Sequence, residues 1–219
     1  MTQYGVYFDR TRCTGCKTCE MACKDYRDLG AEAMFRRVID YEGGTWERPG
    51  AAGAGTEAGM AVATGVFAYH LSLACNHCGD PACTRVCPTG AMHKDDRGLV
   101  WPDERKCIGC GYCTMACPYH APFIDQHLKK SSKCDGCRAR LDEGLGPVCV
   151  EACPVRALEW GDPAELAARH PGAVRSILPL PPEDATWPNL FILPSPAAAL
   201  AAQVGGHIAN HQEIGRAHV

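Results

Sequence analysis

Sixteen of the 219 residues are cysteine, and they fall into four sets of four. Set one is Cys13, Cys16, Cys19 and Cys23. Set two is Cys75, Cys78, Cys83 and Cys87. Set three is Cys107, Cys110, Cys113 and Cys117, and set four is Cys134, Cys137, Cys149 and Cys153. Sets one and three read C-x2-C-x2-C-x3-C, set two C-x2-C-x4-C-x3-C and set four C-x2-C-x11-C-x3-C. Three chemistries use closely spaced thiols. Disulfides are disfavoured, because three cysteines at two-residue spacing cannot all pair with good geometry and a reducing compartment opposes the bond. A zinc site needs two C-x2-C knuckles and has no use for further cysteines at fixed offsets. A [4Fe–4S] cubane needs thiolates on its four corners, and C-x2-C-x2-C wraps the polypeptide around three of them. The fourth cysteine, three residues on and commonly followed by proline, points away to the other cluster of a pair. Proline follows the last cysteine at Pro88, Pro118 and Pro154, whereas Lys24 follows Cys23. At four thiolates per cubane, sixteen cysteines provide for four [4Fe–4S] clusters.

An internal repeat suggests how the sets combine. Sets one and three share one pattern, with Met-Ala before the last cysteine at Cys23 and Cys117. Sets two and four share another, with Pro81 and Pro147 two residues before Cys83 and Cys149 and Cys-Pro at Cys87 and Cys153. Two kinds of half, each present twice, make two bacterial-ferredoxin-like units. Sets two and three lie within residues 75–117, so the inner unit is inserted in the outer one. With the last cysteine of each set crossing to its partner, four ligand groups are expected. They are Cys13, Cys16, Cys19 with Cys153; Cys134, Cys137, Cys149 with Cys23; Cys75, Cys78, Cys83 with Cys117; and Cys107, Cys110, Cys113 with Cys87.

The elements that must position these thiols are short. The expected fold is α+β, two intertwined ferredoxin-like domains of short hairpins and helices with an extended C-terminal tail. The outer domain takes residues 1–40 and 125–165 and the inner one 66–124. A connecting loop takes 41–65, and a helix and tail take 166–219. Tyr4–Asp9 and Val66–Leu73 are rich in aromatic and β-branched residues and read as strands leading into sets one and two. Gly98–Trp101 reads as the return strand of a turn. The Gly/Ala-rich stretch 49–63 reads as a mobile loop. Asp162–Arg169 has a cap residue, a proline at the first helical position and good helix formers, so it reads as a helix. From about residue 179 proline recurs, and no core is expected; that segment is either disordered or laid along a partner. Because a ligand set forms only in the folded protein, the clusters should supply much of the folding energy, and the apo-protein should fold poorly.

Composition narrows the function. A net charge of −3 argues against a general nucleic-acid binder. No run approaches the ~18 apolar residues that span a bilayer. The N-terminus lacks a basic segment followed by an apolar one, so no secretory signal is expected. There is no G-x-G-x-x-G after a strand, no Walker loop and no cysteine left over as a nucleophile. Fully ligated cubanes have no open iron site, which leaves one-electron transfer and predicts a protein that is not an enzyme by itself. The competing readings are a small reductase, which would need another cofactor site, and a zinc-ribbon interaction module.

Other residues have bland readings beside functional ones. His77 lies between Cys75 and Cys78 and His120 follows set three; either could hydrogen-bond a cluster sulfur, against the commoner surface or packing role. Lys24 could raise a nearby potential or simply be solvated. Tyr112 reads as packing. Arg36-Arg37 lies too far inside, with no apolar stretch following, to be a twin-arginine signal.

On these motifs the sequence resembles the family of iron–sulfur subunits of bacterial anaerobic dimethyl sulfoxide reductase, within the subunits that serve molybdopterin oxidoreductases. The resemblance runs from about residue 3 to 193. It is carried by Gln3–Gly5, Arg12–Cys19, Ala22–Tyr26, Phe35–Arg37, Cys75–Cys78, Asp80–Thr84, Gly90–Lys94, Cys107–Cys110, Met115–Tyr119 and Lys133–Cys137. It implies a heterotrimer with a molybdopterin catalytic subunit and an integral membrane anchor that oxidises quinol. By analogy, the cluster of Cys13, Cys16, Cys19 and Cys153 faces the catalytic subunit and that of Cys87, Cys107, Cys110 and Cys113 faces the anchor. Some relatives carry tryptophan at the position of Cys110 and hold a [3Fe–4S] cluster; with cysteine there, four [4Fe–4S] are implied. The implied substrate is dimethyl sulfoxide or a related S- or N-oxide. The alternative is the same role in a polysulfide, thiosulfate or formate enzyme. The implied location is peripheral, on the periplasmic face of the inner membrane, by export with the catalytic partner; a cytoplasmic-facing complex is the alternative.

Overall fold

The computed structural model describes residues 3–47 and 62–210. Strand β1 (Gly5–Asp9) is buried along its whole length because it is the middle of a three-stranded sheet. It pairs antiparallel with β8 (Leu158–Gly161) and parallel with β9 (Leu190–Leu193), so Phe8 lies opposite both Leu158 and Ile192. Helix α1 (Thr18–Tyr26) follows set one's first turn and carries Cys19 and Cys23 one turn apart on the same face. β2 (Arg37–Glu47) and β3 (Val62–Leu73) form a long antiparallel hairpin, with Tyr41, Phe67 and Tyr69 in a tilted ring cluster.

The middle of the sequence repeats one small pattern. Helix α2 (Ala82–Arg85) leads to the hairpin of β4 (Met92–Lys94) and β5 (Val100–Pro102). Helix α3 (Tyr112–Ala116) leads to that of β6 (Phe123–Asp125) and β7 (Lys130–Ser132). Each hairpin turn is set by an aspartate: Asp95 Oδ1 accepts from the Arg97 and Leu99 amides, and Asp125 Oδ1 from those of His127 and Leu128. Helices α4 (Arg138–Asp142) and α5 (Val148–Glu151) then bring set four back to β8 and β1. Helix α6 (Pro163–Arg169) is capped by Asp162, whose carboxylate accepts from the Ala164 and Glu165 amides.

Two expectations need correcting. Strand structure occupies residues 41–47 and 62–65 of the expected connecting loop. Most of the 49–63 loop lies outside the described residues. The tail, expected to lack a core, carries regular structure among its described residues, and Leu190, Ile192, Ala198 and Ala201 join the main apolar core. Leu190–Leu193, four apolar residues between prolines, is enough to pair with the open edge of β1. Helix α7 (Pro196–Val204) lies against β3, where alanine at 198 and 201 allows close approach, and β10 (His207–Ile208) adds to the free edge of β2. Among the described residues no helix is long and apolar enough to cross a membrane.

Candidate functional site

Among the described residues, four cavities each gather a quartet of cysteines. The first collects Cys13, Cys16, Cys19 and Cys153. The second collects Cys23, Cys134, Cys137 and Cys149, with Cys75 at its wall. The third collects Cys75, Cys78, Cys83 and Cys117, and the fourth Cys87, Cys107, Cys110 and Cys113. In α1 one helix turn separates Cys19, which lines the first cavity, from Cys23, which lines the second.

The thiols are arranged for a guest larger than an ion. All sixteen are free. Among the described residues no three His, Cys, Asp or Glu side chains are gathered closely enough to hold a single metal ion. That arrangement does not suit a tetrahedral zinc site, whose thiolates must all lie about 2.3 Å from one atom. Soft thiols converging from four sides match an iron–sulfur cluster. Burial pushes the Cys23 and Cys78 thiols up to about 12 and drives that of Cys134 well upward too. Such thiols ionise only beside strong positive charge, which a metal cluster brings with it.

Local geometry prepares each lining. In sets one, three and four the residue before the second cysteine is a left-handed glycine: Gly15, Gly109 and Gly136. A Cβ on Gly109 would stand 2.2 Å from the Lys129 carbonyl. Set two places His77 there, also with positive φ. Backbone amides already point at sulfur: Met92 N–H at Cys87, Ser131 N–H at Cys107 and Ala157 N–H at Cys153, each at 3.3 Å. Hydroxyls join them, Ser72 on Cys19 at 3.2 Å and Ser131 on Cys113 at 3.3 Å.

Two buried cations mark the joints between cavities. Arg36 Nη1 donates to the Ser72 hydroxyl at 2.9 Å. Burial opposes its charge, but Cys149, Cys19, Cys134 and Cys23 outweigh that and raise the guanidinium pKa, so it serves the first two cavities together. Lys133 Nζ donates to Cys75 Sγ at 3.1 Å and to the Cys134 carbonyl at 2.7 Å, linking the second and third. Burial opposes this charge too, and Cys75 and Cys134 hold it. The third and fourth meet through Met92 and Val100, packed with Cys83 and Cys113. The cavities thus form a row. Its outer members each expose one thiol, Cys16 and Cys110; the middle two expose none.

The other singled-out residues sort plainly. His77 is buried, whereas His120 is exposed. Lys24 donates to the carbonyls of Gly30, Ala31 and Ala33 and braces a loop. Tyr112 is exposed, contrary to its packing role. Arg37 donates to the Tyr119 and His120 carbonyls, tying the long hairpin to set three. Sequence reasoning named Arg36 and Lys133 but gave neither a role between the cavities, because the contacts that define that role are made only in space.

Thiol quartets held by short helices and two-stranded hairpins define a ferredoxin-like iron–sulfur protein. Comparison with known proteins agrees: residues 66–163 match the model of the 4Fe-4S dicluster domain, and residues 10–27 that of a 4Fe-4S binding domain. Over 214 residues, 98% of this protein and 100% of the relative, it is 50% identical to the B subunit of the anaerobic dimethyl sulfoxide reductase of Haemophilus influenzae. It is 49% identical to the corresponding B subunit of Escherichia coli, covering 97% of this protein and 99% of that one. A thiosulfate reductase electron transfer subunit of Salmonella typhi is 35% identical over 73% of this protein and 76% of its own length. The chain therefore belongs to the family of anaerobic dimethyl sulfoxide reductase B subunits.

Proposed function

We propose that this protein is the electron-transfer subunit of a reductase complex, without a catalytic centre of its own, and that it carries four [4Fe–4S] clusters. The carrying observation is the membership of the four cavities: each gathers three cysteines of one set and the last cysteine of its partner set. This favours two ferredoxin-like units, the one of sets two and three inserted in the one of sets one and four. When bound, each cluster would supply one-electron uptake and release. The protein's own residues do the rest. Sixteen sulfurs hold the clusters, amides and hydroxyls offer hydrogen bonds to those sulfurs, apolar walls exclude water, and Arg36 and Lys133 place positive charge between neighbours. Exposed Cys16 and Cys110 support a row with two docking ends. At the Cys110 end, exposed Ile108, Tyr112 and Met115 suit an apolar partner.

The names of the relatives point to dimethyl sulfoxide as the acceptor. The partners that the family resemblance implies are a molybdopterin catalytic subunit and a quinol-oxidising membrane anchor, and a related S- or N-oxide fits the same role. The position is peripheral, on the periplasmic face of the inner membrane. The thiosulfate reductase relative supports a second reading, the same role with an inorganic sulfur acceptor. The test is purification of the complex, with iron and labile sulfide counted on this subunit and quinol-dependent reduction of dimethyl sulfoxide and thiosulfate compared. About sixteen irons on this subunit and turnover of the sulfoxide support the first reading. About twelve, or turnover of thiosulfate alone, removes it. Cys153→Ser should disturb the signal of set one's cluster, not set four's.

A further inference from the structure

The second cavity, that of Cys23, Cys134, Cys137 and Cys149, differs from the other three in its wall. Arg36, His77 and Trp160 all line it. Each brings a nitrogen that is buried and has no hydrogen-bond partner among the described residues: Arg36 Nε, His77 Nε2 and Trp160 Nε1. All three are donors. The guanidinium and indole nitrogens carry hydrogen by their chemistry. The imidazole is fixed by its other side, since the Val100 amide donates to His77 Nδ1 at 2.9 Å and leaves the proton of the neutral ring on Nε2. The linings of the first and fourth cavities contain no such orphan, and that of the third contains only Asn76 Nδ2.

Unpartnered buried donors are costly, and three around one cavity are not an accident of packing. His77 adds a second sign. It holds a left-handed backbone, φ 42°, at the position where the three other sets use glycine, so a side chain is kept there against its conformational preference. Its ring stands edge-on to Trp160, with centroids 6.4 Å apart, which places both rings on one wall.

We infer that Arg36, His77 and Trp160 are a three-point donor set for the inorganic sulfur of the cluster held by Cys23, Cys134, Cys137 and Cys149, and that they make it the member of the row that most readily holds an extra electron. The inference rests on the four-cluster reading above. N–H dipoles aimed at a buried, polarisable acceptor favour whichever form carries more negative charge, and one of the three carries a full positive charge. His77 reaches across from the loop of the neighbouring quartet, so the two inner members of the row share a wall as well as the Lys133 ammonium.

The test is a reductive titration of the complete complex followed by electron paramagnetic resonance. Cys149→Ser identifies the couple that belongs to this quartet. Trp160→Phe keeps the ring that stacks on Tyr4 at 5.2 Å and removes only the N–H. It should lower the reduced-to-oxidised ratio of that couple, at a fixed poise, by about three- to tenfold. Arg36→Gln should lower it further. Trp101→Phe, which removes an indole N–H bonded to Asp95 and outside all four linings, should move no couple. If Trp160→Phe and Arg36→Gln leave this couple where it was, or if Trp101→Phe moves it equally, the inference is overturned while the four-cluster reading stands. If the unaltered subunit shows no [4Fe–4S] signals, the four-cluster reading falls first and takes the inference with it.

Discussion

Around the first two cavities the protein builds an ordinary apolar core. Phe8, Val38, Leu71, Leu158 and Ile192 pack in one cluster with Cys19, Cys23, Cys149 and Cys153. Around the last two, the corresponding cluster is Met92 and Val100 with Cys83 and Cys113, and little else. The outer half has three-stranded sheets; the inner half has two hairpins of three-residue strands. Isolated hairpins of that size are marginal in water. On the four-cluster reading, side-chain packing supports one half, and the bound clusters would chiefly support the other. Metal binding becomes folding free energy most directly where the apolar core is smallest.

Stripping the iron gives the largest separation of the halves. Amides of β4, β5, β6 and β7 should lose their exchange protection, while β1, β8 and β9 keep a cooperative transition. Equal loss in both halves would erase the contrast. Next in size is a matched pair of truncations. Leu71→Ala, at a fully buried site, should cost about 2–5 kcal/mol by denaturant midpoint and leave the iron content unchanged. Met92→Ala should show itself instead as iron lost from the fourth quartet. Lys133→Gln probes the seam between the halves. It should shift the couples of the second and third quartets downward together, about three- to tenfold in reduced fraction at fixed poise, and leave the fourth in place. The smallest effect is expected at Asp162→Ala, where loss of the α6 cap should cost about 1 kcal/mol in thermal stability without touching any couple.

How much of this was legible follows the range of the interactions. Cysteine spacing is a local record, so the sets of cysteines that line each cavity could be proposed from sequence alone. β1 and α6 were also local, one by its aromatic and β-branched run, the other by Asp162 and Pro163. The C-terminal segment was misread because its order comes from afar: β9 is strand because β1 offers an edge, some 180 residues earlier in the sequence. Helix α7 gave no amphipathic signal, since a row of alanines looks alike on every side. The wall of the second cavity was the least legible part. Residues 36, 77 and 160 meet only in space, and no spacing in the sequence announces an N–H without a partner.

The linings of the cavities also contain a timetable. A polypeptide emerging N-terminus first presents Cys13, Cys16 and Cys19 almost at once, yet the cysteine that completes their cavity is Cys153. The second cavity waits for Cys149, and β1 waits for residue 193 before both its edges are covered. By contrast the third and fourth cavities have all their thiols once residue 117 is made. Synthesis therefore hands the assembly machinery the middle of the molecule first, and the two ends of the polypeptide close over it afterwards.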